Sequence, residues 1–454
     1  MTILDTLRPH RGPAAEPRPP WRSRIRTSNR ATFASLRQRN YRLFFTGQAI
    51  SLVGTWMQAV AQSLLVFHLT GSGTWVGLVI AAQTLPVLLG GPYGGLVADR
   101  LNKRRLLTAT QAYKGLLGLG LGLTVALGTV QLWMVVAFAV GLGIGNVFDN
   151  PARQTFIPEM VGADLLGNAI SLNSILVNAA RAVGPAIAGI LIATVGYSIC
   201  FMLDAGSYVA VVVALLLMDA TKLHRSKPSP RTKGQVREGL RYVRRTPELF
   251  VPLLMMTLVG ALAYEFQVSL PVLALHTFDG GPDTYGFMTA AMGVGAIFGG
   301  FRVARRTGWG VGPLMRATSI FGIAILALAL SPWLWLAMIA LLFVGATSIG
   351  FLAGASTTLQ LTADPQMRGR VMALWAVAFL GTTPIGGPIV GWVAQHAGAR
   401  WALGLGAVAA IGAAVLGRAM LRRADKRGAT QRAAALREAA GPVDLADLTL
   451  AEDR

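Results

Sequence analysis

The sequence predicts an all-α integral membrane fold, with twelve transmembrane helices in two pseudo-symmetric six-helix bundles. Three observations predict it. The 454 residues are 53% hydrophobic and only 13% charged, with a mean hydropathy of +0.54, whereas an ordinary soluble domain has about twice that charged fraction. The apolar residues come in blocks of roughly 18 to 25 without persistent charge. A pattern in the first half also returns in the second. Gly167-Asn-Ala-Ile-Ser-Leu-Asn173 leads to Gly184-Pro185-x-x-x-Gly189, and roughly 200 residues later Gly369-Arg-Val-Met-Ala-Leu-Trp375 leads to Gly387-Pro388-x-x-Gly391. Duplication of this kind places a solute path between the repeats.

Residues 1–40 carry Arg8, Arg11, Arg18, Arg22, Arg24, Arg26 and Arg30 among prolines. They read as a basic tail without the apolar core of a secretory signal. From Phe33 to Phe45 bases mix with aromatics, the composition of a segment lying along the membrane surface before it enters. The first bundle, 41–218, holds spans near 43–67, 75–97, 106–128, 131–149, 166–193 and 197–218. Span one presents Thr55, Gln58 and Gln62 on one helical face, with Trp56 beside it. These amides either fasten helices together or bind a polar ligand. Span three carries Lys114, which snorkels to the inner surface or binds substrate. Span four ends at Asp149, where Asn150-Pro151 is expected to break the helix. Span five carries Arg181 and Gly184-Pro185, and span six carries Cys200 and Asp204.

A polar connector, 219–248, leads to the second bundle, 249–420, with spans near 249–273, 284–302, 314–331, 333–352, 370–393 and 400–420. Span seven carries Tyr264, Glu265 and Gln267, and span eleven carries Gly386-Gly387-Pro388. Glycine permits close helix approach and proline removes a ladder hydrogen bond, so both Gly-Pro sites are expected to bend. Residues 421–454 form an Ala-rich charged tail.

The net charge of +21 has a topological cause. Of 41 Lys and Arg, only Arg400 falls in a loop placed outside, and Lys114 and Arg181 lie within spans. That is the positive-inside pattern. It sets both termini in the cytoplasm and the chain in the inner (plasma) membrane, with the bases near anionic lipid and no nucleic-acid partner. The single cysteine excludes an intrachain disulfide and a cysteine metal site. No Gly-x-x-x-x-Gly-Lys-[Ser/Thr] loop is present to bind ATP, and five unpaired histidines offer no hydrolytic or zinc centre. The expectation is no enzyme, no cofactor and no metal.

Between spans two and three stands Gly95-Leu-Val-Ala-Asp99-Arg100-Leu-Asn102-Lys103-Arg104-Arg105. An acid and bases on a tight turn between helices suit a latch between moving segments. This Gly-x-x-x-Asp-Arg-x-x-Lys-Arg run resembles the signature of the major facilitator superfamily of secondary transporters. Asn102 stands where the family usually has a second Gly, and Asn also tolerates positive φ. Leu36-Arg-Gln-Arg-Asn40-Tyr41-Arg42, Phe148-Asp149-Asn150-Pro151-Ala152-Arg153-Gln154, Asn168-Ala-Ile-Ser-Leu-Asn173 and Arg368-Gly369-Arg370-Val371 resemble its drug-efflux branch, which includes macrolide exporters and the enterobactin exporter. Val183-Gly184-Pro185-Ala-Ile-Ala-Gly189 looks like a shortened exporter Gly-Pro motif. The resemblance covers about residues 33–420. The span-four arginine of proton-coupled drug exporters has no counterpart between Trp133 and Val147, so their coupling scheme does not carry over unchanged.

Ionisable groups in hydrocarbon are costly and point to function. Arg181 lies ~20 Å from the inner edge and Asp204 ~10 Å from the outer, depths that coincide in a layer ~30 Å thick. They are expected to form an ion pair, which pins two helices or takes part in proton coupling. The resemblance turns Glu265 toward the central cavity, as a proton carrier or the anchor of a cationic substrate. The alternative is an outer-vestibule acid facing water. Gln83, Tyr93, Phe148, Tyr264, Phe351 and Trp375 are candidate lining residues. Latches are expected at Gly95, Asp99, Arg100 and Arg104, around Asp149 and Arg153, and at Arg302 to Arg306. The resemblance implies a monomer that exports an amphipathic small molecule, a drug or siderophore-like metabolite, by proton antiport with alternating access. A lysophospholipid flippase, an importer on the same scaffold and a non-transporting sensor are the other readings.

Overall fold

Backbone in hydrocarbon must satisfy its own N–H and C=O groups, and the helix does so within one segment. The computed structural model describes residues 33–224, 235–305, 308, 310–364 and 366–439, and these contain helices and no strand. In chain order they are α1 (Arg39–Thr70), α2 (Gly73–Arg100), α3 (Lys103–Ala126), α4 (Leu132–Thr194), α5 (Tyr197–Leu216), α6 (Gln235–Arg245), α7 (Pro247–Leu262), α8 (Phe266–Val272), α9 (Pro282–Ala304), α10 (Val311–Ala329), α11 (Leu334–Thr362), α12 (Arg368–Leu380), α13 (Thr383–His396) and α14 (Ala399–Ala439). Among the described residues, ten helical segments are long and apolar enough to cross a membrane. The helix α3, in which Gln111 and Lys114 interrupt the apolar residues, is not among the ten.

The breaks differ from those expected. The helix does not stop at Asn150-Pro151, and α4 runs on through Pro151 and Pro158 to Gly162, whose φ of 73° interrupts the helical backbone. Only glycine adopts that region without strain. The helix also continues through Pro185. Asn102 has φ −65°, outside the left-handed region, and its side chain instead accepts from the Arg105 amide at 3.2 Å and caps α3.

Of the aromatics expected along the membrane surface, Phe33 is exposed, but Tyr41 and Phe44 in the first turns of α1 face protein. Tyr41 and Phe44 are fully buried, the Tyr41 hydroxyl donates to the Ala169 carbonyl at 2.9 Å, and Phe44 meets Phe156 edge to face. The Ser35 amide and hydroxyl donate to the Asn168 side chain at 3.0 and 2.7 Å. Asn40 exchanges two bonds with the Asp219 backbone. Thr221, donating to the Asp219 carboxylate from hydroxyl and amide, holds that acid below its ordinary range. In the connector, α6 fastens to the second half of the chain. Glu238 pairs with Arg370 at 2.7 Å, and Tyr242 donates to Asp364 at 2.9 Å.

Two seams join the helices before the connector to those after it, α2 with α13 and α4 with α9. Both depend on missing side chains. A Cβ on Gly77 would strike the Gly387 carbonyl, and one on Gly286 would lie 2.8 Å from the Gly189 Cα. Small residues of this kind let helix backbones touch. Gly189 and Gly387, one from each half of the sequence repeat, thus stand one on each seam. At the rim of the first seam, remote from the Arg100–Arg105 hairpin, Ser72 and Thr74 both donate to the Gln395 side-chain oxygen.

Valine at Gly77 is expected to prise this rim open. In a Cys200→Ser background, maleimide labelling of Thr74→Cys in detergent should rise several-fold when Gly77→Val is added. Unchanged labelling of a folded, monodisperse variant would show that the glycine contact does not hold the seam.

Candidate functional site

Residues four apart share a helical face, and on α1 this sets Gln58 beside Gln62. Gln58 donates to Gln62 at 2.6 Å, and Gln62 donates to Gln83 of α2 at 3.0 Å. The amide chain borders a cavity of about 180 Å³, which Thr55, Trp56 and Gln267 also line. A neighbouring cavity of about 90 Å³ shares Thr55, Gln58 and Gln83 and reaches Gln111, Lys114 and Arg153. The amides thus fasten α1 to α2 and line open space as well.

Behind the second cavity lies a buried charge cluster. Asp149 is 0% exposed. Its carboxylate stands 3.2 Å from Lys114 and 3.5 Å from Arg153, and accepts from Gln111 at 2.6 Å and Thr110 at 3.0 Å. Lys114 therefore does not snorkel. At 5% exposure it points inward, because α4 presents a carboxylate where snorkelling would offer only headgroups. Arg153 extends the cluster to Gln48 of α1 at 3.2 Å.

The expected Arg181–Asp204 ion pair does not form. Gly54 and Trp56 lie on opposite faces of α1, since two residues turn a helix by about 200°. Asp204 fits against Gly54, where a Cβ would lie 2.8 Å from its oxygen, while Arg181 stacks over the Trp56 ring at 4.9 Å. The helix α1 stands between the two charges. Ser207 is 3.5 Å from one Asp204 oxygen, and the other has no hydrogen-bond partner.

Glu265 sits in the break between α7 and α8, buried, with Thr383 as its polar neighbour and one oxygen unpartnered. Gln267, two residues on, is the one that lines the cavity. Tyr264 turns into an aromatic group with Phe321, Phe351 and Phe379, and donates to the Ser348 carbonyl at 2.7 Å. Trp375 stacks on Phe379 at 5.9 Å, and its Nε1 has no acceptor.

At the α2–α3 hairpin, Arg104 donates to the Leu216 carbonyl at the end of α5 at 2.8 Å. Asp99 is half-buried and Arg100 exposed. Gly94 accommodates α4, where a Cβ would strike the Val147 carbonyl. The strongest link here is one the sequence reading missed, a buried Lys103–Glu159 ion pair at 2.5 Å. An acid beside Pro158 in an apolar run was its only signal. Arg302 and Arg305 are exposed, and Arg306 lies outside the described residues.

A family model described as transmembrane secretion effector matches residues 30–445. The multidrug efflux pump Tap of Mycolicibacterium fortuitum is 28% identical over 76% of this chain and 87% of its own. The staphyloferrin A transporter of Staphylococcus aureus is 25% identical over 73% of this chain and 84% of its own. A solved structure of a bacterial homologue of the iron transporter ferroportin, in an inward-facing state, superposes with a TM-score of 0.65 at 15% identity. It covers 84% of this chain and 98% of that one. Fold likeness is all that the last comparison carries.

Removing one partner from a buried charge cluster leaves the others uncompensated, at a cost of about 3–5 kcal/mol. Asp149→Asn should therefore lower the thermal unfolding midpoint sharply, and adding Lys114→Met should restore part of the loss. Equal midpoints for the single and double variants would dissolve the cluster's structural role.

Proposed function

The chain belongs to the transmembrane secretion effector family of the major facilitator superfamily, and we propose from this that it exports an amphipathic small molecule in exchange for protons. It is a transporter and not an enzyme. The observation that carries the reading is the pair of polar cavities deep among α1 to α4, bordered by amides and buried charges that hydrocarbon would not tolerate without a purpose. The relative named for multidrug efflux supports the direction, and the one named for staphyloferrin A transport supports a siderophore-like cargo.

On this reading the chain crosses the membrane twelve times. The ten apolar segments become twelve when α4 is divided at Gly162 and α3 is counted. The bundles are 41–218 and 249–420, joined by 219–248 and flanked by tails 1–40 and 421–454, with both termini cytoplasmic as the placement of bases requires. A single monomer completes the path. The seams α2–α13 and α4–α9 exchange places under the two-fold relation of the bundles, and rocking about them alternates access. Asp99, Arg100, Arg104 and the Lys103–Glu159 pair act as latches at the cytoplasmic end, and Gly184-Pro185 acts as a packing surface. Asp204 and Glu265, each with an unpartnered carboxylate oxygen, carry the protons. Proton and substrate must favour different states for the exchange to couple.

Inverted vesicles with an acid interior are expected to accumulate a labelled substrate from a panel of amphipathic drugs and siderophores, and a protonophore should abolish it. Asp204→Asn and Glu265→Gln should bring accumulation down to the protonophore level while leaving substrate counterflow. Full gradient-driven accumulation by both variants would remove these acids from the proton path. Movement in the opposite direction alone would favour the importer or lipid-flippase readings.

A further inference from the structure

Arg181 stands on α4 one turn before Gly184, whose missing side chain lets α4 close on Val53 and Trp56 of α1. Its guanidinium lies 4.9 Å from the Trp56 ring centre, its Nε has no hydrogen-bond partner, and no carboxylate among the described residues pairs with it. The acids at comparable depth are engaged elsewhere. Asp149 lies between Lys114 and Arg153, Asp204 lies beyond α1, and Glu265 faces Thr383. A guanidinium keeps its charge at any physiological pH, so its missing counter-charge is one that the described residues do not supply.

Two further observations show where that charge enters. Trp56, under the guanidinium, lines the cavity of about 180 Å³ together with Gln58, Gln62 and Gln267. Ser171, Ser174, Asn178 and Arg181 recur at i, i+3, i+7 and i+10, on one side of α4. Each is exposed or half-buried, and the first three bond only to carbonyls of their own helix. That polar strip leads from Arg181 toward the Gly162 end, and in hydrocarbon such a strip needs water or a polar solute beside it.

We infer that Arg181 anchors the anionic head of the transported molecule, an amphipathic oxyanion with a planar or aromatic body. The head is a carboxylate or a phosphate, which the Arg181 fork binds, while the body lies against Trp56. A cationic amphiphile meets the wrong charge. The inference rests on the export reading for its direction, but the binding site stands or falls separately.

The test uses the full chain in nanodiscs and three probes with one body: pyrenebutyrate, its methyl ester and a pyrenebutyl-trimethylammonium cation. Binding is measured against empty nanodiscs. The carboxylate is expected to bind about 10- to 100-fold tighter than the ester, the worth of a charge-assisted hydrogen bond. Arg181→Gln should bring that ratio near one, Arg181→Lys should keep part of it, and Trp56→Leu should weaken carboxylate binding several-fold. If the Arg181 variants fail to fold, the wild-type ratio and Trp56→Leu still decide. Equal or tighter binding of the ester or cation by wild type overturns the inference, as does failure of both cholate and lysophosphatidate to displace pyrenebutyrate. Displacement by either upholds it, and the stronger competitor tells a soluble carboxylate from a lipid phosphate. Binding of the carboxylate without gradient-driven movement in proteoliposomes keeps the anion site and removes the export reading.

Discussion

Asp149 has no water and two cations, and much of the first half of the chain is arranged around that fact. Lys114, Gln111 and Thr110 come to it from α3, Arg153 from its own helix, and through Arg153 the cluster reaches Gln48 of α1. Asp149, Lys114, Gln111 and Thr110 are all buried, so each holds the others in place, and Arg153 closes the cluster from its more open side. The placement of α1 relative to α3 and α4 follows, and with it the position of the Gln58–Gln62–Gln83 chain that borders the cavities. A polar wall with a defined shape is possible here because a charge cluster behind it cannot relax.

The joints between the halves are built on the opposite principle. Where Gly77 meets Gly387 and Gly189 meets Gly286, backbone touches backbone with no side chain to interlock. Such contacts are close and carry no register of knobs and holes at the glycines themselves, though buried apolar residues of both halves pack in one cluster beside them. A charge cluster ties helices together inside the first half, and glycines let helix backbones meet at its border with the second. The connector helix α6 is tied through Glu238 and Tyr242 to Arg370 and Asp364.

Much of this was legible from residue type and depth, and little of it from direction. The apolar blocks announce helices because hydrocarbon leaves the backbone no other choice, and the i, i+4 spacing of Gln58 and Gln62 fixes a shared face. Depth alone misassigned Arg181 and Asp204, because equal depth says nothing about which helix stands between them. Of the two readings for Lys114, snorkelling fell for the same reason, since its partner Asp149 lies on another segment. Pro151 was read as a break, but α4 runs on through it, and the interruption fell at Gly162, where the backbone could turn freely. The Lys103–Glu159 pair joins residues 56 apart in sequence, a separation that no local pattern encodes.

The rim bonds of Ser72 and Thr74 to Gln395 have a thermodynamic consequence of their own. All three partners are neutral, and each can trade its bond for one to water at almost no net enthalpy. Parting this rim therefore strands no charge and needs only that solvent be present to take over the hydroxyls and the amide. The membrane-side face of the molecule governs how it is held together, but at this edge the bulk water decides how readily it lets go.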